Sequence, residues 1–224
     1  MTTSGTSAFN LDVAEIIEEA YEMCALELRS GYDMKTARRS LNLLAIDWAS
    51  RGYNLWTVEQ AVVPLLTGVA SYALPDDTID VVEMVISSTS GTTTTDIAIT
   101  RIGMATYATI PVKETQGRPV QVWVDRQITP QITVWPVPPD NSYTFKYWRL
   151  RRIQDAGTSG ELTFDIPTRF LPCLISGLAY KIALKRVSDE NRLNRLKSEY
   201  ESAWLEASTE DREKVTMRIV PAIR

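Results

Sequence analysis

The apolar residues of this chain repeat with two different periods, and this change of period is the feature that most limits the possible folds. Near both ends they recur every three or four positions, whereas from about residue 55 to residue 153 they alternate. The first pattern is typical of one face of an α-helix, and the second of β-strands with one buried face. The sequence therefore predicts an α+β protein with helical ends and a β-rich middle.

Two amphipathic helices are predicted at each end of the chain. Asp12 and Glu15 have the spacing of a capping box, which starts the first helix. Gly31 is expected to end that helix, and Asp33 to cap the second. Ser188 or Asp189 is expected to cap the last helix. The apolar stripes of the four helices run from Val13 to Leu28, Ala37 to Trp48, Leu171 to Ile182 and Leu193 to Ala207.

Short strands with turn signals between them fill the middle of the chain. The clearest pair lies in GRPVQVWVDRQITPQITVWPVPP at 117–139, where valines alternate with Gln121, Trp123 and Asp125 before a second alternating run follows Pro130. This pattern predicts a hairpin. Several such segments at this spacing favour an antiparallel β-sandwich or a barrel-like domain.

The two helix pairs are expected to share one core, because two helices alone would cover their apolar faces poorly. The resulting prediction is a discontinuous four-helix bundle from residues 1–54 and 166–209, with an inserted β domain at 55–165. Residues 210–224 form a C-terminal arm in which Val215, Met217 and Ile219 alternate before Pro221. Because this apolar arm has no remaining partner within the chain, we expect it to dock on another protein.

The chain contains no histidine, which removes Ser-His-Asp and Cys-His catalysis and nearly all catalytic zinc sites. Cys24 and Cys173 lack metal-ligand spacing and are interpreted as buried apolar residues. No glycine-rich phosphate loop is present. We therefore expect no enzymatic activity, no metal and no cofactor. No run of about 18 apolar residues exists, so no membrane-spanning helix is expected.

A net charge of −4 argues against nucleic-acid binding over the whole surface. A local exception follows Tyr147 and Trp148, because aromatic rings beside arginines can stack on bases and pair with phosphates. The candidate DNA contacts are Arg149, Arg151 and Arg152. The alternative is that these arginines form the charged face and the end of a strand.

With these segments in order, the chain resembles the head-to-tail adaptor proteins of short-tailed, podovirus-type phages, the group that includes tail tubular protein A. No catalytic signature contributes to the resemblance, and the matching stretches cover most of the chain. They are TARRSLNLLAIDWASRGYNLWTVEQ at 36–60, SYALPDDTIDVVE at 71–83, the hairpin at 117–139, and GLAYKIALKR at 177–186.

The resemblance implies a structural virion protein in the neck and tail region, made in the host cytoplasm. It implies a homo-oligomeric ring of twelve copies that connects the capsid portal to the tail nozzle, a protein like tail tubular protein B. Tail fibres are a further candidate partner. Genomic DNA would pass through the ring during ejection without sequence-specific binding, and no membrane is involved.

Three further sets of residues are candidates for contacts in such an assembly. The arm residues expected to dock on the portal are Val215, Met217, Arg218, Ile219, Pro221 and Arg224. The residues expected to contact the nozzle or a neighbour are Trp123, Trp135, Pro136, Pro138 and Pro139, where the prolines would also blunt an exposed strand edge. The residues expected to form charge pairs between subunits are Glu15, Glu18, Glu22, Arg38 and Arg39.

Alternatives remain open at this point. The two tryptophans could instead fill the sandwich core, because one face of each strand must be buried. The β domain could be a carbohydrate- or peptide-binding module of a phage tail, with Trp123, Trp135 and Tyr147 as its aromatic surface. A carboxylate-dependent hydrolase would need two carboxyl groups facing each other in a pocket.

Overall fold

The computed structural model describes residues 3–52, 55–90, 92–159 and 161–211. Its helices are α1 (Val13–Met23), α2 (Gly31–Ser50), α3 (Met104–Ala108), α4 (Leu171–Arg186) and α5 (Glu190–Glu210). Its strands are β1 (Val58–Pro64), β2 (Ser71–Ala73), β3 (Thr78–Ser90), β4 (Thr93–Ala98), β5 (Thr100–Ile102), β6 (Gln121–Asp125), β7 (Gln131–Trp135) and β8 (Tyr143–Arg151). No helix in these ranges combines the length and the apolar character that crossing a membrane requires.

The chain divides into two compact units. One, the helical unit, contains the chain up to Trp56 and from Ile153 onward, and the other, the β unit, is Thr57–Arg152. The second boundary differs from the expected one at 165/166. Residues 153–165 belong to the helical unit because Ile153, Ala156 and Phe164 are buried in its core.

Helix α1 begins where the sequence predicts. The Glu15 backbone N–H donates to Asp12 Oδ1 at 2.8 Å, and the Asp12 N–H donates to Glu15 Oε2 at 3.0 Å, which completes the capping box. The helix ends at Met23, so it does not extend to Leu28 as predicted. Two residues later, Ala25 has a left-handed φ of 49°, which an α-helix cannot contain.

The start of α2 also corrects a prediction. Ser30 caps the helix by accepting a hydrogen bond from the Asp33 N–H at 3.3 Å, so Gly31 is the first helical residue and not a stop signal. Asp33 lies in the first turn, where its carboxylate interacts favourably with the positive end of the helix dipole. At the other end of the chain, Asp189 caps α5, which is one of the two residues predicted for that role.

All four long helices contribute to one core, but a four-helix bundle is not shown. Helix α4 packs on α1, α2 and α5, and its buried residues lie on most of its circumference, so the other helices surround it. Gly177 permits close packing there, because a Cβ atom at that position would lie 2.8 Å from Tyr200 Cε2 and 3.0 Å from Leu44 Cδ2. Helix α4 is apolar nearly all round rather than on one stripe, which suits a helix that packs against others over most of its surface.

The β unit contains two four-stranded sheets with strand orders β1-β8-β3-β4 and β2-β7-β6-β5. Apolar residues from both sheets share one core, as a sandwich requires. The sheets are antiparallel as predicted, except that β5 and β6 pair in parallel. The long connection through α3 makes that possible, because parallel neighbours need a crossover. The sheets do not close into a barrel.

The predicted hairpin forms from β6 and β7, with Val122 opposite Val134 and Val124 opposite Ile132. It lies inside its sheet, because β5 pairs with β6 and β2 pairs with β7. Hence the predicted exposed edge at this hairpin does not exist. Pro136, Pro138 and Pro139 follow β7, and Pro138 is buried, with its carbonyl accepting from the Gly68 N–H at 3.0 Å.

Candidate interaction surfaces

Trp123 and Trp135 lie on the face of their sheet that is turned away from the sandwich core. Neither belongs to the buried cluster, to which β6 and β7 contribute Val122, Val124, Ile132 and Val134. The Trp123 ring stacks on Tyr107 of α3, with ring centroids 5.3 Å apart. Trp135 Nε1 donates to the Val112 carbonyl at 3.1 Å. Both tryptophans therefore hold the connection that contains α3 against the outer face of the sheet.

The turn between β6 and β7 carries an exposed apolar residue that the sequence analysis did not single out. Ile128 is 98% exposed at the tip of the hairpin. The neighbouring Arg126 is tied back to the sandwich through an ion pair with Asp80 of β3 at 3.0 Å. Arg101 of β5 pairs with the same Asp80 at 2.8 Å. In the sequence, the exposed position of Ile128 is indicated by a β-branched apolar residue within the otherwise polar turn DRQITP.

Of the three arginines proposed as DNA contacts, Arg149 is committed to an internal ion-pair cluster. It is 6% exposed, and its Nε donates to Glu59 Oε1 at 2.8 Å. Its guanidinium also bonds to Asp77 and to Thr78 Oγ1. The hydrogen bond from Arg149 holds the pKa of Asp77 below its usual range, despite partial burial of that carboxyl. Arg149 therefore works as a structural cation.

Arg151 shares that cluster, with Nε 3.3 Å from Glu59 Oε2. Its strand, β8, ends at Arg151, so Arg149 and Arg151 lie at the end of a strand, as the alternative interpretation predicted. Because β8 pairs with β1 on one side and β3 on the other, neither arginine lies at a sheet edge. Arg152 is exposed, and its backbone N–H donates to the Asp77 carbonyl at 2.8 Å. Of the three side chains, only that of Arg152 is presented to solvent.

The residues proposed for charge pairs between subunits are divided by the structure. Glu15 is used within the chain in the capping box of α1. The guanidinium of Arg38 donates to the Thr158 carbonyl. Glu18, Glu22 and Arg39 are exposed, and none of them forms an ion pair with the part of the chain that the structure describes.

Helix α2 exposes an apolar stripe beside Arg39. Leu43 is 54% exposed and Ile46 is 61% exposed. Residues 39, 43 and 46 follow each other at the spacing of one helix face. The exposed face of α2 therefore combines one cation with two large apolar side chains.

The arm residues Val215, Met217, Arg218, Ile219, Pro221 and Arg224 lie outside the described residues. Asp211, the last residue described, is buried and accepts a hydrogen bond from the Leu55 N–H at 2.9 Å. It also pairs with Arg169, just before α4. The last described residue is therefore anchored to the helical unit.

An apolar groove of about 640 Å³ lies on the helical unit. Parts of α1, the start of α4 and the middle of α5 form it, together with the segment that precedes α1. Its apolar walls are Phe9, Leu11, Met23, Leu171, Pro172, Ile175 and Ala203, and the carboxylates of Glu19 and Glu199 flank it.

A second, more polar pocket contains two carboxylates but does not suit acid–base catalysis. Glu27 pairs with Arg29 at 3.0 Å, and Asp33 pairs with Arg186. Hydrogen bonds from Ser30 and Arg186 hold the pKa of Asp33 below its usual range. A general acid in a hydrolase needs a raised pKa instead. These carboxylates act as partners of arginines, so the pocket does not support the hydrolase alternative.

Both cysteines are buried in the helical unit. Cys24 and Cys173 are free and buried, as predicted, and Cys24 Sγ donates to the Ala179 carbonyl at 3.1 Å. Burial raises the pKa of Cys173 to about 12, so this thiol is not activated as a nucleophile. Within the described ranges, no three His, Cys, Asp or Glu side chains are grouped to hold a metal.

The alternative of an aromatic carbohydrate-binding surface is contradicted. Tyr147 is buried in the sandwich core, where it stacks on Phe145 with centroids 5.2 Å apart. Trp123 is stacked on Tyr107 instead of facing an open cleft. The three aromatic residues that this hypothesis requires do not share one exposed surface.

Both units carry exposed apolar side chains, and several of their carboxylates pair with arginines. Residues 12–222 match the family model of the SU10 adaptor protein, and the chain belongs to that family. It is therefore a structural adaptor that acts between the head and the tail of a phage particle.

None of the curated proteins matches the chain. Among solved structures, a chain from the neck of an empty GTA particle matches with a TM-score of 0.27 and 11% sequence identity. The match covers 88% of this chain and 92% of that chain. A similarity at this level establishes neither a shared fold nor a shared role.

Proposed function

We propose that this adaptor forms a ring of twelve copies in the neck of the virion, between the portal of the capsid and the nozzle of the tail. The observation that carries the proposal is the family match, which extends over both the helical unit and the β unit. The resemblance to tail tubular protein A of short-tailed phages supports the two partners. Genomic DNA passes through the ring, and tail fibres are a further partner.

The β unit is the proposed contact for the nozzle. Ile128 projects from the hairpin tip and supplies an apolar side chain of the kind that interfaces bury. Trp123 and Trp135 support this contact indirectly, because they fix the α3 connection on the outer face of the sheet. The prolines after β7 shape the adjoining loop.

The helical unit supplies the proposed contacts between subunits and with the portal. Arg39, Leu43 and Ile46 on α2 face solvent, as do Glu18 and Glu22 on α1. Opposite charges and apolar side chains on two helices of one subunit suit a head-to-tail contact, which closes into a ring when the rotation permits. The arm beyond Asp211 docks on the portal.

Deletion of residues 212–224 tests the portal contact. The cut falls after Asp211, which keeps the hydrogen bond to Leu55 and the ion pair to Arg169. The shortened chain is expected to retain the circular dichroism spectrum of both units and to lose attachment to DNA-filled heads. Completion of infectious particles by the shortened chain would refute the role of the arm.

Native mass spectrometry with and without purified portal tests the assembly. We expect a monomer alone and a twelvefold ring when the portal is added. The charge reversal Arg39→Glu is expected to prevent ring closure while leaving the monomer folded. A ring that still closes with this variant would contradict the proposed contact between subunits.

A further inference from the structure

The apolar groove on the helical unit leaves two of its apolar side chains exposed. Phe9 is 74% exposed at one side of it, and Pro172 at the start of α4 is also exposed. Helix α1, which forms one wall, contains acidic side chains and no basic one. A concave apolar surface can bury the apolar side chains of a segment that binds in it. The occupant of this groove should therefore be apolar along one side and basic along the other.

The C-terminal arm has this character. Residues 212–224 contain four basic side chains and one acidic side chain, a net charge of +3, and their order is REKVTMRIVPAIR. Residues 215, 217 and 219 are apolar and alternate with Thr216 and Arg218. In an extended segment, alternate side chains point to the same side. The arm can thus place three apolar residues on one side while its basic residues reach the rim.

The arm also starts at the right place. Asp211 pairs with Arg169, and Leu171, only two residues after that arginine, is part of the groove wall. Thirteen residues span at most roughly 43 Å when extended. The arm of the same chain is therefore long enough to return along the groove toward Ala203.

We propose that residues 213–221 of the same chain occupy this groove. Val215, Met217 and Ile219 contact its apolar walls, and Lys214 and Arg218 interact with Glu19 and Glu199. This goes beyond the proposed function, because it assigns the arm an intramolecular partner. In the free adaptor the apolar arm is covered, and docking on another protein then requires its release.

A fluorescent peptide with the sequence of residues 212–224 tests the proposal in the full-length chain. The receptor is a variant whose own arm carries Val215→Ser, Met217→Ser and Ile219→Ser, which leaves the groove open. A tethered segment has an effective concentration of about 1 mM. If the peptide binds the open groove with a Kd of about 10–100 µM, the native arm should weaken its binding to the wild-type chain about ten- to a hundredfold.

A charge reversal in the open-groove variant tests the location. Glu19→Lys combined with Glu199→Lys should weaken peptide binding about tenfold or more, since two favourable charge interactions become repulsive. The matched control, Glu161→Lys with Glu206→Lys, makes the same charge change at two exposed positions of the helical unit that do not line the groove. It is expected to leave peptide affinity within about twofold of the open-groove variant.

Three results would overturn the proposal. One is equal affinity of the peptide for the wild-type chain and the open-groove variant, and another is no binding to the variant. The third is a wild-type protein whose molecular mass in solution increases with concentration, while the variant with the substituted arm has the mass of a monomer. In that case the arm occupies the groove of a second copy. All measurements are made without portal, so they stand apart from the test of portal docking.

Discussion

The hydrogen bond between Trp48 and Tyr200 can be removed by deleting a single oxygen atom, so its contribution to the stability of the helical unit can be measured. Trp48 is 0% exposed and Tyr200 is 3% exposed. The Trp48 Nε1–H donates to the Tyr200 hydroxyl at 2.9 Å. These residues lie on α2 and α5, and the bond joins the N-terminal and C-terminal halves of the unit. Trp204 packs beside them, with its ring centroid 5.1 Å from that of Trp48.

The substitution Tyr200→Phe removes one oxygen atom and leaves the shape of the aromatic packing intact. The indole N–H of Trp48 then stays buried without its acceptor. An unsatisfied buried donor costs about 1–3 kcal/mol, which lowers the folding equilibrium constant by about five- to 150-fold. We therefore expect Tyr200→Phe to lower the free energy of unfolding by that amount.

Urea unfolding followed by circular dichroism at 222 nm measures this loss, because the helices dominate that signal. The matched control is Tyr32→Phe, since this tyrosine is 71% exposed on α2. Its effect should remain within about 0.5 kcal/mol. In a double-mutant cycle with Trp48→Phe, we expect a coupling of about 0.5–3 kcal/mol. Equal free energies of unfolding for the Tyr200→Phe and Tyr32→Phe variants would show that the hydrogen bond to Trp48 does not stabilise the unit.

Other predictions concern the ion pairs, alkaline pH and the hairpin tip. Arg149→Met should destabilise the β unit by about 1 kcal/mol at pH 7, because its carboxylate partners are partly solvated. The pKa of Asp77 is lowered in the folded chain, so its contribution to stability should be complete above about pH 4, decline below it, and be lost as the pH falls through the lowered pKa. The difference in stability between wild type and variant should therefore narrow over that range in an acid titration. Burial raises the pKa of Tyr200 and of Cys173 to about 12. The stability that these two neutral groups contribute should be fully present below about pH 8.5 and should fall as pH rises toward 12. Cys173→Ala should weaken the fall that begins near about pH 8.5, as measured by urea unfolding at a series of pH values. Ile128→Ser should leave the unfolding midpoint unchanged and weaken nozzle binding in pull-down titrations, and unchanged binding would exclude the hairpin tip as the contact.

Local signals in the sequence predicted local structure well. The structure confirms the predicted α+β class and the β6–β7 hairpin. It also confirms the capping box at Asp12 and the cap at Asp189. Each depends on residues that are close in the chain, such as a side chain that reaches a backbone N–H two or three residues away. Gly31 is an exception, because a stop signal and a helix start look alike without the neighbouring backbone conformation.

The candidate surfaces depended more strongly on contacts that are distant in sequence. Nothing near Arg149 in the chain indicates that Glu59 and Asp77 will surround it. These two carboxylates occupy its guanidinium, and for that reason Arg149 is not available to DNA. The tryptophans of the hairpin face away from the core, but only the return of the α3 connection covers them.

The sequence by itself determined which segments are helices and strands, because the period of the apolar residues and the capping residues act within a few positions. Only the tertiary structure decided that α4 is surrounded by the other helices, that β5 runs parallel to β6, and which charges are neutralised. These properties arise where segments far apart in the chain meet and exclude water. Burial then determines both the strength of an ion pair and whether a side chain remains available to a partner.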